Sequence, residues 1–362
     1  MIASVVGIEP GDRVVVTGAA GFIGSAVTRA LQARGAHVVA VVEPGGTGRG
    51  TGTGTGSDPG GTDQMEWAEL DIRDAAAVRA ACEGARFVFH LAAIYRFWAR
   101  DPRIFSDVNV GGTLNVLKAI RAAGCERLVY TSTVGVLGLE PAMRGEVVDE
   151  SSYADVAHLF GHYKRTKFVA EHEVLRAVAE GLDACLVLPT FPLGPGDRRP
   201  TPTGKLVVDF LNGKMPAFVD TAMNVTHVDD LAIGHIAALE RGATGRNYIL
   251  GGENMSMSQI LRVLADHSGL AVPRARVPHR AVLAAAHVST FVEGGLLRRE
   301  PHVPLEAARM SGTKMIFSDK RARSEIGYTS RPATDAIEES ARWFAGNGYV
   351  RAGRLAQIRW QK

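Results

Sequence analysis

A chain of 362 residues with 46% hydrophobic side chains is long enough for one large or two modest domains with sizeable cores. The net charge of +3 is not gathered into one long basic run, so nucleic acid is not an expected partner, and Arg351, Arg354, Arg359 and Lys362 read as a solvated basic end. No apolar run reaches the length of a membrane span, residues 1–6 lead straight toward the first strand without a signal peptide, and Cys82, Cys125 and Cys185 are isolated, so a cytoplasmic protein without stable membrane insertion, disulfides or a metal site is expected.

Taken in order, residues 13–16 carry three consecutive valines and predict a buried strand. Gly18, Gly21 and Gly24 follow at three-residue spacing, and Phe22-Ile23 open an amphipathic helix to about residue 34. Each glycine has a use in a dinucleotide site: a sharp turn at Gly18, close approach of a pyrophosphate at Gly21, and helix-to-sheet packing at Gly24. The first free N–H groups of the helix, with its positive dipole end, would then hold phosphate. Glycines alone fit a tight structural turn as well; the strand before and the helix after favour a nucleotide. A second strand at 37–42 ends at Glu43, whose carboxylate can accept ribose hydroxyl protons and repel a 2′-phosphate. The segment 44–63 is almost wholly Gly, Thr, Ser and Asp and predicts a surface loop.

Further strands are expected at 66–70, 86–91, 127–132 and 184–188, alternating with helices at 74–82, 104–123 and 160–180. Asp71 follows the first of these, either meeting an adenine amine or satisfying its own loop. Ala92 and Ala93 follow the next and leave room for a cofactor. An aromatic and basic loop, 94–103, stands at the same carboxyl edge. The alternation predicts an α/β fold with a Rossmann-type doubly wound parallel sheet at 1–190. Returns to it are expected at about 224–251 and 332–348. The segments 191–223 and 252–331 are expected to form a smaller, mostly helical, discontinuous substrate domain, with 281–292 presenting one apolar surface.

Tyr163 and Lys167 lie four apart on the predicted helix and share one face. A phenol is a weak base near neutrality, but a nearby ammonium favours its phenolate, so the pair can exchange a proton with an alcohol or ketone. A hydroxyl after the fifth strand, Thr133 or Ser132, would fix the substrate oxygen. Outside a dinucleotide fold the same two residues would be an ordinary solvated pair. His227 reads as a structural hydrogen-bonding residue, Asp229 and Asp230 as cap and packing residues, Met255 and Met257 as core. Arg198 and Arg199 either grip an anionic substrate group or face solvent.

Thr17-Gly18-Ala19-Ala20-Gly21-Phe22-Ile23-Gly24, Tyr163 with Lys167, and His227-Val228-Asp229-Asp230 together resemble the extended short-chain dehydrogenase/reductases, the NAD-dependent epimerase/dehydratase family, over nearly the whole chain. Tyr95-Arg96-Phe97-Trp98, Gly161-His162-Tyr163-Lys164-Arg165 and the segments 194–204 and 210–216 are most similar to the hopanoid-associated sugar epimerase group, relatives of dihydroflavonol reductases. The resemblance implies catalysis by Thr133, Tyr163 and Lys167. It implies an NAD site, with NADP an alternative, at Gly18, Ala20, Gly21, Phe22, Ile23, Glu43, Asp71, Ile72, Leu91, Ala92, Ala93, Tyr163, Lys167 and Pro189. Substrate contacts are expected from Tyr95, Trp98, Thr133 and Arg198. Thr133 stands where the family usually has serine. Related reductases often carry arginine at the place of Glu43, and Arg49 in the following loop could reach a phosphate. Asn224-Val225-Thr226 replace an arginine common in nucleotide-sugar enzymes. The implied activity is hydride transfer at a secondary alcohol or ketone of a sugar-like or polyol-like small molecule, by an epimerase or dehydrogenase. The alternatives are an NADPH-dependent reductase of the dihydroflavonol type and a nucleotide-sensing protein without turnover. A homodimer through helices 104–123 and 160–180 is also implied, with Ile104, Val108, Leu114, Leu117, Phe168 and Leu175 as its apolar contacts.

Overall fold

The computed structural model describes residues 6–45, 65–156, 159–273 and 275–360. Arg49 and most of the glycine-rich segment therefore lie outside the described residues. The strands are β1 (Arg13–Thr17), β2 (His37–Val42), β3 (Met65–Glu69), β4 (Phe87–His90), β5 (Arg127–Thr131) and β6 (Ala184–Pro189). They continue as β7 (Phe191–Leu193), β8 (Ala217–Phe218), β9 (Ala222–His227), β10 (Asn247–Leu250), β11 (Glu253–Ser256) and β12 (Ala275–Arg276).

Seven strands join in the order β10-β6-β5-β4-β1-β2-β3, every pair parallel. The doubly wound sheet is as expected. Its central strands are runs of Val, Leu and Phe because helices cover both faces. On one face, helices Ala75–Cys82, Thr113–Ala123 and His162–Ala179 pack on Val88 and Leu128 through Val78, Val116, Ile120 and Val174. On the other, Phe22–Gln32, Val228–Arg241 and Lys320–Ile326 pack on Val14 and Phe87 through Val27, Leu31, Ile236 and Ile326. The strand order reverses between β1 and β4, and ligands bind at such a reversal, outside the carboxyl ends of the strands.

A second core lies on a three-stranded sheet, β11-β9-β7. Helices Pro202–Leu211, Met257–Ser268 and Ala333–Gly346 cover it with Val207, Phe210, Ile260, Leu264, Ile337 and Phe344, and Met255 and Met257 are buried there. Two sequence expectations are corrected here. The segment 224–251 divides: β9 pairs with β7 and β11, and only the helix after it and β10 return to the large sheet. The closing helix, Ala333–Gly346, buries its apolar face in the second core and not on the large sheet. Its sequence shows one apolar stripe but carries no mark of which core that stripe meets.

Candidate active site

The nucleotide end is built by backbone. Gly18 has φ +74°, and a Cβ there would lie 2.8 Å from the Ala92 backbone N, so the turns after β1 and β4 touch. A Cβ at Gly24 would collide with the Gly18 carbonyl oxygen, which is the close packing expected of that position. Helix Phe22–Gln32 begins at Gly21 with no side-chain cap and no acid in its first turn. Its first backbone bond runs from Ser25 N to Gly21 O, which leaves the N–H groups of Phe22 and Ile23 without a helical acceptor. Ala20 is exposed on the same turn. An uncapped helix start at the strand reversal fits a dinucleotide pyrophosphate.

The other expected cofactor positions line this edge. Glu43 is exposed just past β2. Asp71, past β3, accepts from the Arg73 backbone N–H at 2.9 Å and from its guanidinium; the guanidinium hydrogen bonds hold the carboxyl below its usual range. Of its two expected roles, the loop-satisfying one is occupied. Ile72 is buried against Gly112, and Pro189 closes β6. Leu91 and Ala92 donate their backbone N–H groups to Thr17 Oγ1, each at 3.2 Å, and Ala93 is half-buried beside them.

Thr17 is fixed by a buried relay that sequence reasoning missed. Thr17 Oγ1 is 2.7 Å from His90 Nδ1, His90 Nε2 is 2.9 Å from Thr113 Oγ1, and Thr113 donates to the Asn109 carbonyl at 2.6 Å. Thr113 has used its proton, so it accepts from His90 Nε2–H, and Nδ1 accepts from Thr17. Burial, with the Lys167 charge adding to it, pushes His90 down to about 3, so the ring stays neutral. Asn109 lies in a π-wound turn, Asp107–Gly112, and binds both the Ile94 backbone N–H (2.8 Å) and Thr166 Oγ1 (3.0 Å). It ties the 94–103 loop to the helix of Tyr163.

At the catalytic end, Tyr163, Thr133 and Tyr95 line one cavity of about 240 Å³. The Tyr95 ring lies against Tyr163 with centroids 4.8 Å apart. Thr133 caps the short turn Val134–Val136, accepting from Gly135 N at 3.1 Å, and its hydroxyl stands near the Tyr163 phenol. Lys167 is buried beneath, donating to the Thr131 carbonyl at 2.6 Å with its ammonium 4.3 Å from the Tyr130 ring centre. The expected tuning of the phenol differs. Burial pushes Tyr163 above its ordinary value, which the nearby Thr133 hydroxyl only partly offsets, while burial pulls Lys167 down to about 7. The ammonium is directed at the Thr131 carbonyl and the Tyr130 ring. Ser132 is the alternative hydroxyl of the sequence reading; it hydrogen-bonds the buried Glu171 carboxylate and is not part of the cavity wall.

Two expected substrate contacts are not brought into this cavity. Trp98 lines a separate depression with Arg100, Asp101, Gly294, Gly295 and Arg298, its indole lodged beside Gly294. Arg198 is exposed, and its carbonyl accepts from Tyr349 Oη at 2.6 Å. In their place stand residues absent from the expected set. Phe97, Phe191, Leu206, Met223, Met257, Met310, Met315 and Phe317 give an apolar wall, and Lys164 and Glu306 lie beside Tyr163. His227 is the structural residue expected: it caps helix Val228–Arg241 through Asp229 N at 3.1 Å and reaches Glu339 at 3.2 Å. The cap is therefore His227; Asp230 binds the Arg331 backbone and guanidinium instead.

Residues 14–251 match the family described as the NAD dependent epimerase/dehydratase family. The chain belongs to that family. It is 36% identical over 350 residues to the "Putative dihydroflavonol 4-reductase" of Synechocystis sp., covering 95% of this chain and 98% of that one. It is 31% identical over 339 residues to "Sterol demethylase protein B" of Methylococcus capsulatus, covering 93% and 99%. Among solved structures, that of gox2253 is similar with TM-score 0.79 and 38% identity, over 94% of this chain and 100% of that one. Members of this epimerase/dehydratase family are NAD-dependent enzymes, and the uncapped glycine turn here fits that cofactor. Among the described residues, no helix is long and apolar enough to cross a membrane, and no group of three metal-ligating side chains converges.

Proposed function

We propose that the protein transfers hydride at a secondary alcohol or its ketone, with Tyr163 as the acid/base. The observation that carries this reading is the convergence of Tyr163, Thr133 and the buried Lys167 at the carboxyl edge of a sheet whose strand reversal is shaped for a dinucleotide. NAD, when bound, supplies the hydride acceptor or donor. In the reductive direction Tyr163 gives its phenolic proton to the substrate oxygen as the carbon is reduced; in the oxidative direction it takes that proton. Thr133 Oγ1 holds the same oxygen. Lys167 orders the end of β5 through Thr131 and would hold the cofactor ribose. Glu43 favours NAD over NADP. The substrate unit is formed by 191–227 and 252–310, joined by the closing helix 333–346, while helix Lys320–Ile326 belongs with the large sheet.

The wall of the cavity bears on what is oxidised or reduced. It is apolar and methionine-rich, with no arginine among its described lining residues, which suits an apolar alcohol or ketone and net oxidoreduction better than a nucleotide sugar and epimerisation. The direct test has two parts. The purified protein is denatured and its released nucleotide quantified, and nicotinamide absorbance is then followed with a panel of ketones. Consumption of reduced cofactor in proportion to ketone supports the reading. Stoichiometric tightly held NAD, with isomerisation of a sugar substrate and no added cofactor, would replace it with epimerisation.

A further inference from the structure

Most polar side chains on the cavity wall already have protein partners. Thr203, Thr221 and Ser311 donate to the carbonyls of Pro192, Thr313 and Ala308 at 2.8, 3.1 and 2.8 Å. Asn224 binds Gly252 and Asn254. Thr133 and Tyr163 serve the reacting oxygen. Glu306 is different. It is 8% exposed, on helix Leu305–Met310, and its Oε1 is buried with no hydrogen-bond partner. A buried carboxyl oxygen left unmatched is costly unless something meets it.

The chain makes room for this group. Gly161 precedes the helix of Tyr163 with φ +86°, and any side chain there would collide with the Glu306 carboxyl. Glu306 thus lies against the start of the catalytic helix, in the fields of Lys164 and Tyr163. It is contributed by the C-terminal half of the chain, on an element that borders the cavity with Ala307 and Met310.

We propose that Glu306 is the second polar anchor of the substrate. It accepts a hydrogen bond from a hydroxyl on an otherwise apolar alcohol or ketone whose reacting carbon lies at Tyr163. The assignment rests on the hydride-transfer reading for the place of the reacting carbon, and names the substrate class as a compact apolar body with two separate oxygen functions. Lys164 balances the carboxylate and does not itself reach it by a hydrogen bond.

The test uses two bicyclic ketones, decalone and a hydroxydecalone whose hydroxyl is on the ring remote from the carbonyl. Calorimetry with the full chain and saturating NAD gives their affinities for the wild type, Glu306→Gln and Glu306→Leu. Expected is a preference for hydroxydecalone of about tenfold or more in the wild type, falling to within about twofold in Glu306→Leu and intermediate in the near-isosteric Glu306→Gln. Absence of the preference in the wild type, its survival in Glu306→Leu, or failure of both ketones to bind would overturn the assignment. Reduction of the ketones by NADH is measured in parallel. A Glu306-dependent preference without reduction would sink the hydride-transfer reading and leave the anchor standing, and reduction without preference would do the reverse.

Discussion

Replacing Glu306 by Gln gives a stability difference with a defined pH dependence. Burial pushes the Glu306 carboxyl from 4.5 up to about 7, with the Lys164 charge opposing that rise. In the unfolded chain the carboxyl has its ordinary value, so between pH 4.5 and about 7 the folded protein holds a proton that the unfolded chain has lost. The wild type is therefore most stabilised by this group below 4.5, and that contribution is lost as pH rises toward 7. The slope is about 1.4 kcal/mol per pH unit, so a shift of this size sums to about 3 kcal/mol at most. Gln cannot ionise, and the Glu306→Gln variant should gain on the wild type by that amount from pH 4.5 to 7, with no further gain up to pH 8.5. Urea denaturation of both proteins at half-unit pH steps measures it. A difference independent of pH over that range would show that the carboxyl ionises freely, and would refute its placement in a dry wall.

Three other outcomes are expected. NAD(H) should bind more tightly than NADP(H) at matched salt, because Glu43, exposed just past β2, is expected to repel a 2′-phosphate; tighter NADP(H) binding would turn attention to Arg49. Thr133→Val should lower kcat by about 100-fold at most, the loss of one oxygen contact, and full activity would remove Thr133 from the reaction. Light scattering at micromolar concentration should give a dimer mass through helices Thr113–Ala123 and His162–Ala179, which pack side by side and leave Leu114, Phe168 and Leu175 half-buried and Val169 exposed; Leu117, expected in that contact, is buried in the protomer's own core, and a monomer mass would dispose of the pairing.

The large sheet was legible because its physics is local. Three valines, a glycine turn and an amphipathic helix specify strand, crossing and cover without reference to distant residues. The same locality makes Glu43, Thr133 and Tyr163 readable, since each sits just past a strand or on the helix that follows. Lys167 was found but its direction was not: the ammonium is drawn to Thr131 and the Tyr130 ring, neither of which the four-residue spacing reveals. Glu306 could not be found in this way. It lies 143 positions from Tyr163, on a short helix with no motif, and only the fold brings it to Gly161. The place of Trp98, beside Gly294 in a separate depression, likewise depends on residues distant in sequence. The second core was not delimited in the sequence for want of any local mark distinguishing the helix at 333–346 from those covering the large sheet.

In the proposed reaction Tyr163 moves the proton while NAD moves the hydride. Tyr163→Phe removes only the phenolic oxygen from a ring already packed against Tyr95. NADH affinity, measured by fluorescence titration, should stay within about twofold of the wild type, while ketone-dependent NADH oxidation falls by about 100- to 10,000-fold. Near-normal oxidation by Tyr163→Phe, with cofactor binding intact, would contradict the account.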